Sequence, residues 1–439
     1  MKMRTEQKTA VKNSIGRLVF VALSVLLQVI WICVQAMKLN RYSTWISVAT
    51  SVLTLVVVIL LYGRRTNAAF KMPWIILILA FPVLGLGMYL LFGRKEATQL
   101  VRERFERIDQ SLDGLLIQDK AVRIKLQQTD RMAANEAEYI WNYAKYPIYQ
   151  NTDVVFYKEA SEGIEAQKQA LNQAKHFIFM EYHAIEDKQS FGELKEILAR
   201  KAKEGVEVRL FYDDIGSIGF INTDFIQRME AEGIQCRVFN RLMPVLNVFM
   251  NNRDHRKITV IDGKIGFTGG YNLADEYFNI THPYGYWKDT GVRLEGDAVR
   301  SLTVMFLEMW NAIKGTDTDY TPYFLQDGAQ PHEAGLAGSV GVTQSDANIA
   351  ADSASGFVQP YADSPLDGEP VGENVYMGVV KAASEYVYFT TPYLIISDEM
   401  SRELCLAAKR GVDVRIVTPG IPDKKLVYRV TRSYYAQLA

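Results

Sequence analysis

The sequence predicts an α/β fold: a mixed sheet sandwiched between helices, with one complete half and one partial half, preceded by transmembrane α-helices. Three observations lead there. Two segments repeat one strand–helix–strand pattern, a polar signature follows the first of them, and three apolar runs occupy the first 92 residues. The expected division is a membrane anchor (1–97), a charged helical connector (98–150), a first α/β domain (151–315), an acidic flexible linker (316–356) and a partial second domain (357–439).

In the anchor, runs 18–37, 44–62 and 74–92 are each about the 20 residues a helix needs to cross the hydrocarbon core. A cleaved signal peptide is the alternative for the first, because Val34-Gln-Ala36 resembles a cleavage site; its length and the two later runs favour retention. The third contains Pro82, Gly85 and Gly87, and a buried soluble helix is its alternative. Together they predict a multi-pass protein of the cell membrane. Flanking Lys and Arg number eight on one side and seven on the other, so charge assigns no orientation.

In the connector, Arg102, Arg104 and Arg107 interleave with Glu103 and Glu106, as in a solvated helix or one lying along anionic headgroups. The first domain then alternates strands and helices: Val154 to Tyr157, Ile164 to Ala174, Phe177 to Tyr182, Phe191 to Glu204, Val206 to Tyr212, a helix around Asp224 to Glu232, Gln235 to Phe239 and the strand Lys257 to Ile261.

The repeat pairs Phe177 to Tyr182 with Tyr386 to Thr391, and Lys201-Ala-Lys-Glu-Gly-Val-Glu-Val-Arg209 with Ala407-Ala-Lys-Arg-Gly-Val-Asp-Val-Arg415. Each copy reads as a βαβ unit. Between them, Gly315 to Val380 holds ten acids and no Lys or Arg, the composition of a linker.

A net charge of −1 argues against a dedicated nucleic-acid binder. Cys33, Cys236 and Cys405 are widely spaced, which argues against a disulfide framework or a zinc site.

The signature is His255, Lys257, Asp262, Gly269, Gly270 and Asn272, spaced H-x-K-x4-D-x6-G-G-x-N. Alternation along a strand puts His255 and Lys257 on one side, where both reach one phosphate. Asn272 could add a hydrogen bond, and the glycines allow close backbone approach to a ligand. Asp262 cannot attack from that strand face; it belongs to the supporting shell, holding a histidine tautomer or the local loop. His176, His183, His282 and His332 read as bystanders, with His183 at a strand end the one to revisit.

This signature resembles the HKD motif of the phospholipase D superfamily. Further segments are similar to bacterial cardiolipin synthases: Glu181-Tyr182, Tyr212-Asp-Asp-Ile-Gly-Ser217, Asn252-Arg-Asp-His-Arg-Lys257, Tyr286-Trp-Lys-Asp289, Thr390-Thr-Pro-Tyr393 and Asp423-Lys-Lys425. The resemblance implies a phospholipase D-like sheet. It also implies that two phosphatidylglycerol molecules become cardiolipin plus glycerol through a phosphatidyl-histidine intermediate, with no metal or other cofactor. It makes His255, Lys257 and Asp262 the catalytic set, and Asn272, Gly269, Gly270 and Glu181 the substrate-binding set. Phosphatidylglycerol and membrane lipid are the implied partners, with a homodimer conceivable and nucleic acid not expected.

The family pattern has two such motifs. Aligning Gly205 with Gly411 (411 − 205 = 206) projects the second histidine to 255 + 206 = 461, past Ala439. The chain is therefore expected to be partial. A catalytically incomplete membrane-anchored fragment, or another phospholipase D-type phosphodiesterase, are the alternatives to a phosphatidyltransferase.

Overall fold

The computed structural model describes residues 23, 26–27, 29–30, 43–64, 68–93, 99–241, 253–324, 356–364, 366 and 368–439. Its centre is a seven-stranded mixed sheet in the order β1-β7-β6-β5-β2-β3-β4, formed by β1 (Thr152–Tyr157), β2 (Phe177–Tyr182), β3 (Glu207–Asp213), β4 (Gln235–Phe239), β5 (Lys257–Ile261), β6 (Ile265–Gly269) and β7 (Gly291–Gly296). β2, β3 and β4 run parallel, while β5 returns antiparallel against β2 with Tyr182 opposite Lys257. That register brings the end of β2 and the start of β5 together at one end of the central strands.

Helices cover both faces. On one, Ile178, Met180 and Tyr182 pack under the helices Ala160–Asn172 and Gln189–Lys203. On the other, Phe177, Phe179, Phe211, Ile258 and Val260 meet the helix Val299–Ile313, where Phe179 stacks on Phe306 at 4.5 Å. β2 is buried along its whole length, which is why its sequence runs apolar instead of alternating.

The repeat is structural. β8 (Tyr386–Thr390) and β9 (Asp413–Val417) pair in parallel around the helix Asp398–Lys409, as β2 and β3 do around Gln189–Lys203. Gly205 and Gly411 end the two helices with the same positive φ of 92°. Val206 N donates to Lys201 O at 3.0 Å, and Val412 N to Ala407 O at 3.1 Å.

The connector forms the helices Gln99–Leu112, Lys120–Thr129 and Arg131–Ala144, the last two capped by Asp119 and Asp130. Arg104 donates to Ile313 O at 2.9 Å, so the first connector helix is docked on the sheet's covering helix. The expected linker is ordered at its start. Arg209, largely buried, needs a carboxylate, and Asp317 supplies one at 2.7 Å while Arg209 also donates to the Tyr323 hydroxyl at 2.6 Å. Residues 325–355 lie outside the described residues.

Of the three expected spans, most of 18–37 lies outside the described residues. The second coincides with the helix Ser43–Gly63, where Val52, Leu55, Ile59 and Leu60 are exposed. The third is not one helix. It divides into Ala68–Ala80, Pro82–Met88 and a π-helical turn Tyr89–Gly93, because Phe81, ahead of a proline, takes φ −137° and ψ 79°. Leu61, Ile78 and Tyr89 bury against one another within this group. Among the described residues no helix is long and apolar enough to cross a membrane.

Candidate active site

The signature strand enters the site through its first residues. The Lys257 ammonium stands 3.1 Å from His255 Nδ1 and donates to the His255 carbonyl at 2.6 Å. Lys257 is buried, and that burial pulls its pKa down to about 8 against the attraction of Asp254, Asp289 and Glu181. His255 is exposed to solvent, with the His183 ring against it. Partial desolvation, then the positive charge of Lys257, holds it at about 4, so the free site presents a neutral imidazole.

A second imidazole adjoins it. His183, just past the end of β2, lies 4.6 Å from the His255 ring. Its Nδ1 is 2.7 Å from the Asp254 carbonyl, an acceptor only, so that nitrogen carries the hydrogen and Nε2 is left with a lone pair. Burial is the main cause that lowers the pKa of His183 too.

The loop between β4 and β5 is held by Asp213. Its carboxylate accepts from Ile215 N at 2.9 Å and Gly216 N at 3.2 Å, and from Arg253 and Asp254 N at 3.1 and 3.0 Å. Gly216 has to be glycine, since a Cβ there would lie 2.1 Å from the His183 carbonyl. Beneath the histidines, Glu181 and Asp254 are buried side by side. Burial is the first cause that raises both, and the charge of Asp254 lifts Glu181 further. Among the described residues neither Glu181 oxygen finds a donor, and both burial and Asp254 favour its protonated form. Arg256 completes the layer, 3.5 Å from Glu308; burial lowers its pKa, and the charges of Glu308, Glu181, Tyr146 and Asp254 together raise it by more.

The other predicted residues are placed differently. Asp262 sits at the far end of β5, roughly 16 Å of strand away from Lys257. Its carboxylate accepts from the backbone of Lys175, His176 and Phe177 at 2.8, 2.8 and 2.9 Å. Asp262 is thus a clamp on the start of β2 and is removed from the catalytic set; of the two supporting roles, holding the loop is the one realised. Glu181 is 0% exposed and lies beside Asp254 beneath the histidines, so it supports that layer instead of binding substrate. Asn272 is buried, its carbonyl accepting from Ala184 N at 3.1 Å and its amide donating to the Tyr277 hydroxyl at 2.9 Å. It fixes the chain directly after His183. Gly269 and Gly270 admit protein rather than ligand: a Cβ would lie 2.6 Å from Thr290 O at the first and 2.1 Å from Asp289 Oδ1 at the second. Gly270 therefore lets Asp289 stand near Lys257.

His183, Asp254 and Asp289 were missed as site residues. A usable signal existed for His183: if β5 pairs antiparallel to β2, a residue just past Tyr182 falls beside the residues preceding Lys257. Among the described residues no group of three or more His, Cys, Asp or Glu is placed to hold a metal ion.

The family model described as "Cardiolipin synthase, PLD-like domain" matches residues 168–310 and 376–439, and "Phospholipase_D-nuclease N-terminal" matches 50–94. An uncharacterized protein of Streptococcus mutans is 38% identical over 382 residues, 87% of this chain and 78% of its own length. A cardiolipin synthase of Halalkalibacterium halodurans is 31% identical over 410 residues, 90% of this chain and 75% of its own. The solved phosphatidylserine synthase of Haemophilus influenzae overlaps 65% of this chain and 66% of its own at a TM-score of 0.41 and 13% identity, too distant to carry an argument. With the HKD signature beginning at one end of the central strands of a mixed sheet, the chain belongs to the cardiolipin synthase family of the phospholipase D superfamily.

Proposed function

We propose that the chain is a membrane-bound phosphatidyltransferase that joins two phosphatidylglycerol molecules into cardiolipin and releases glycerol. The observation that carries this reading is a neutral His255 imidazole with the Lys257 ammonium 3.1 Å from its Nδ1. A phosphodiester oxygen is a stronger acceptor than a neutral ring nitrogen and draws the ammonium away. The ring can then hold its proton on Nδ1 and offer Nε2 to phosphorus. A phosphorus–nitrogen bond forms, the phosphorus–oxygen bond to glycerol breaks, and glycerol leaves with a proton. The hydroxyl of a second phosphatidylglycerol then attacks phosphorus, the nitrogen bond breaks, and that hydroxyl gives up its proton. The cycle is proton-neutral, and His183, the imidazole next to His255, carries the proton from one step to the other. The negative charge of the bound phosphate raises the basicity of His183, so it arrives protonated when the first alkoxide leaves.

Membrane attachment belongs to this reading. The apolar side chains exposed along Ser43–Gly63 and the predicted runs on either side of it would hold the site at the lipid surface. Proteoliposomes carrying the chain and labelled phosphatidylglycerol should form labelled cardiolipin, and the His255→Ala chain should not. Absence of product with His255 intact would overturn the reading.

A further inference from the structure

Resting on that phosphodiester reading, we propose that Lys424, contributed by the second half of the chain, is an anion-binding residue of the His255 site, taking a phosphate oxygen of the bound lipid across from Lys257.

The segment carrying Lys424 lies between β9 and the helix Lys425–Ser433 and is folded against the first half. A Cβ on Gly285, in the loop that follows the signature, would lie 3.2 Å from the Ile421 side chain. Tyr393 fixes the segment from the other side, its hydroxyl donating to Asp423 while the Lys424 ammonium stands 5.1 Å from its ring. The charge of Asp423 is felt at Glu276 and Tyr277, and Tyr277 is the partner of Asn272. Lys424 is likewise felt at both His183 and His255, lowering each.

Charge decides what Lys424 is for. Asp254, Asp289 and Glu181 act on Lys257 and offset its charge. Among the described residues no carboxylate comes within ion-pair range of the exposed Lys424, and its neighbour Asp423 is engaged by Tyr393. A cation left uncompensated beside two imidazoles and a buried ammonium makes the mouth electropositive, which favours an anion with more than one acceptor oxygen. A phosphate group meets that requirement, whether it comes from a lipid headgroup or from free phosphate.

The test measures binding calorimetrically with the full chain in detergent, titrating inorganic phosphate in one arm and short-chain phosphatidylglycerol in the other. Lys424→Met should weaken lipid binding about tenfold, while Lys424→Arg should stay within about threefold of the unmodified chain. Lys425→Met, the exposed neighbour, should leave binding unchanged. Phosphate affinity falling in parallel identifies the shared phosphate group as the ligand; a fall in the lipid arm alone assigns Lys424 to the headgroup in its lipid context, and both support the proposal. Lipid binding by Lys424→Met within about twofold of the unmodified chain overturns it whatever phosphate does. So does a lack of measurable lipid binding by the unmodified chain. Because no turnover is read, failure to make cardiolipin would defeat the proposed function and leave this inference standing.

Discussion

The imidazoles of His183 and His255 stand 4.6 Å apart with their planes inclined at 54°, one oriented by the Asp254 carbonyl and the other by Lys257. His183 follows the end of β2 and His255 precedes the start of β5, and the two rings have different partners. In the proposed cycle His255, freed from Lys257, attacks phosphorus, while His183, held at Nδ1 by the Asp254 carbonyl, moves the proton at Nε2.

Replacing the two histidines therefore has unequal consequences. His255→Ala removes the nucleophile and should lower lipid exchange by about a thousandfold or more. His183→Ala removes a general acid–base group and should lower kcat by about a hundredfold with little change in KM. Initial rates in proteoliposomes check both; a His183→Ala chain with unaltered kcat would remove His183 from the mechanism.

The rate profile should be bell-shaped. His255 must be unprotonated, and its value of about 4 places the acid limb there, with kcat/KM falling as pH drops through it. Lys257 must be charged, and its value of about 8 places the alkaline limb there, with kcat/KM falling as pH rises through it. Both values belong to the free protein, so the check is kcat/KM at low substrate. An acid limb near the ordinary histidine value would contradict the depressed basicity of His255.

Gly270→Ala should act through charge. The new methyl meets Asp289 Oδ1 at 2.1 Å and must push that carboxylate aside, weakening its attraction for Lys257. Loss of a nearby negative charge disfavours the ammonium, so the alkaline limb should move below about 8 and the rate near neutrality should fall several-fold, roughly tenfold at most. The same profile, measured on the variant, shows the shift or its absence.

Asp262→Ala should cost stability before chemistry. It strips three backbone donors of their charged acceptor at the start of β2 and should destabilise the fold by about 3 kcal/mol. Denaturant unfolding of the full chain in detergent reads the loss. The fraction that remains folded should keep most of its specific activity; complete inactivity of folded protein would return Asp262 to the chemistry.

Much of this was legible in the amino-acid order. Alternating apolar segments and turn residues gave β2 to β5 nearly to the residue, since burial on both faces of β2 and β3 demands continuous apolar runs. The glycine pattern around Gly205 and Gly411 announced the repeat because both end a helix in a conformation other residues avoid. The H-x-K spacing announced the meeting of His255 and Lys257 because strand side chains alternate with a period of two.

Spacing says nothing about partners distant in the chain. Asp262 belongs to the signature yet binds the backbone 85 to 87 residues earlier, and Glu181 lies in a matching segment yet faces inward. His183 carries no motif of its own, and the matching segment around Lys424 does not say what it faces. His183 reaches His255 because β5 folds back antiparallel on β2, and the Lys424 segment meets the first half where Ile421 lies against Gly285. The sequence alone determined β2 to β5 but not β6 and β7, and it determined the repeat and the pairing of His255 with Lys257. The tertiary fold decided which charges surround that pair, since electrostatic environment depends on distance through space and on burial, neither of which is written along the chain.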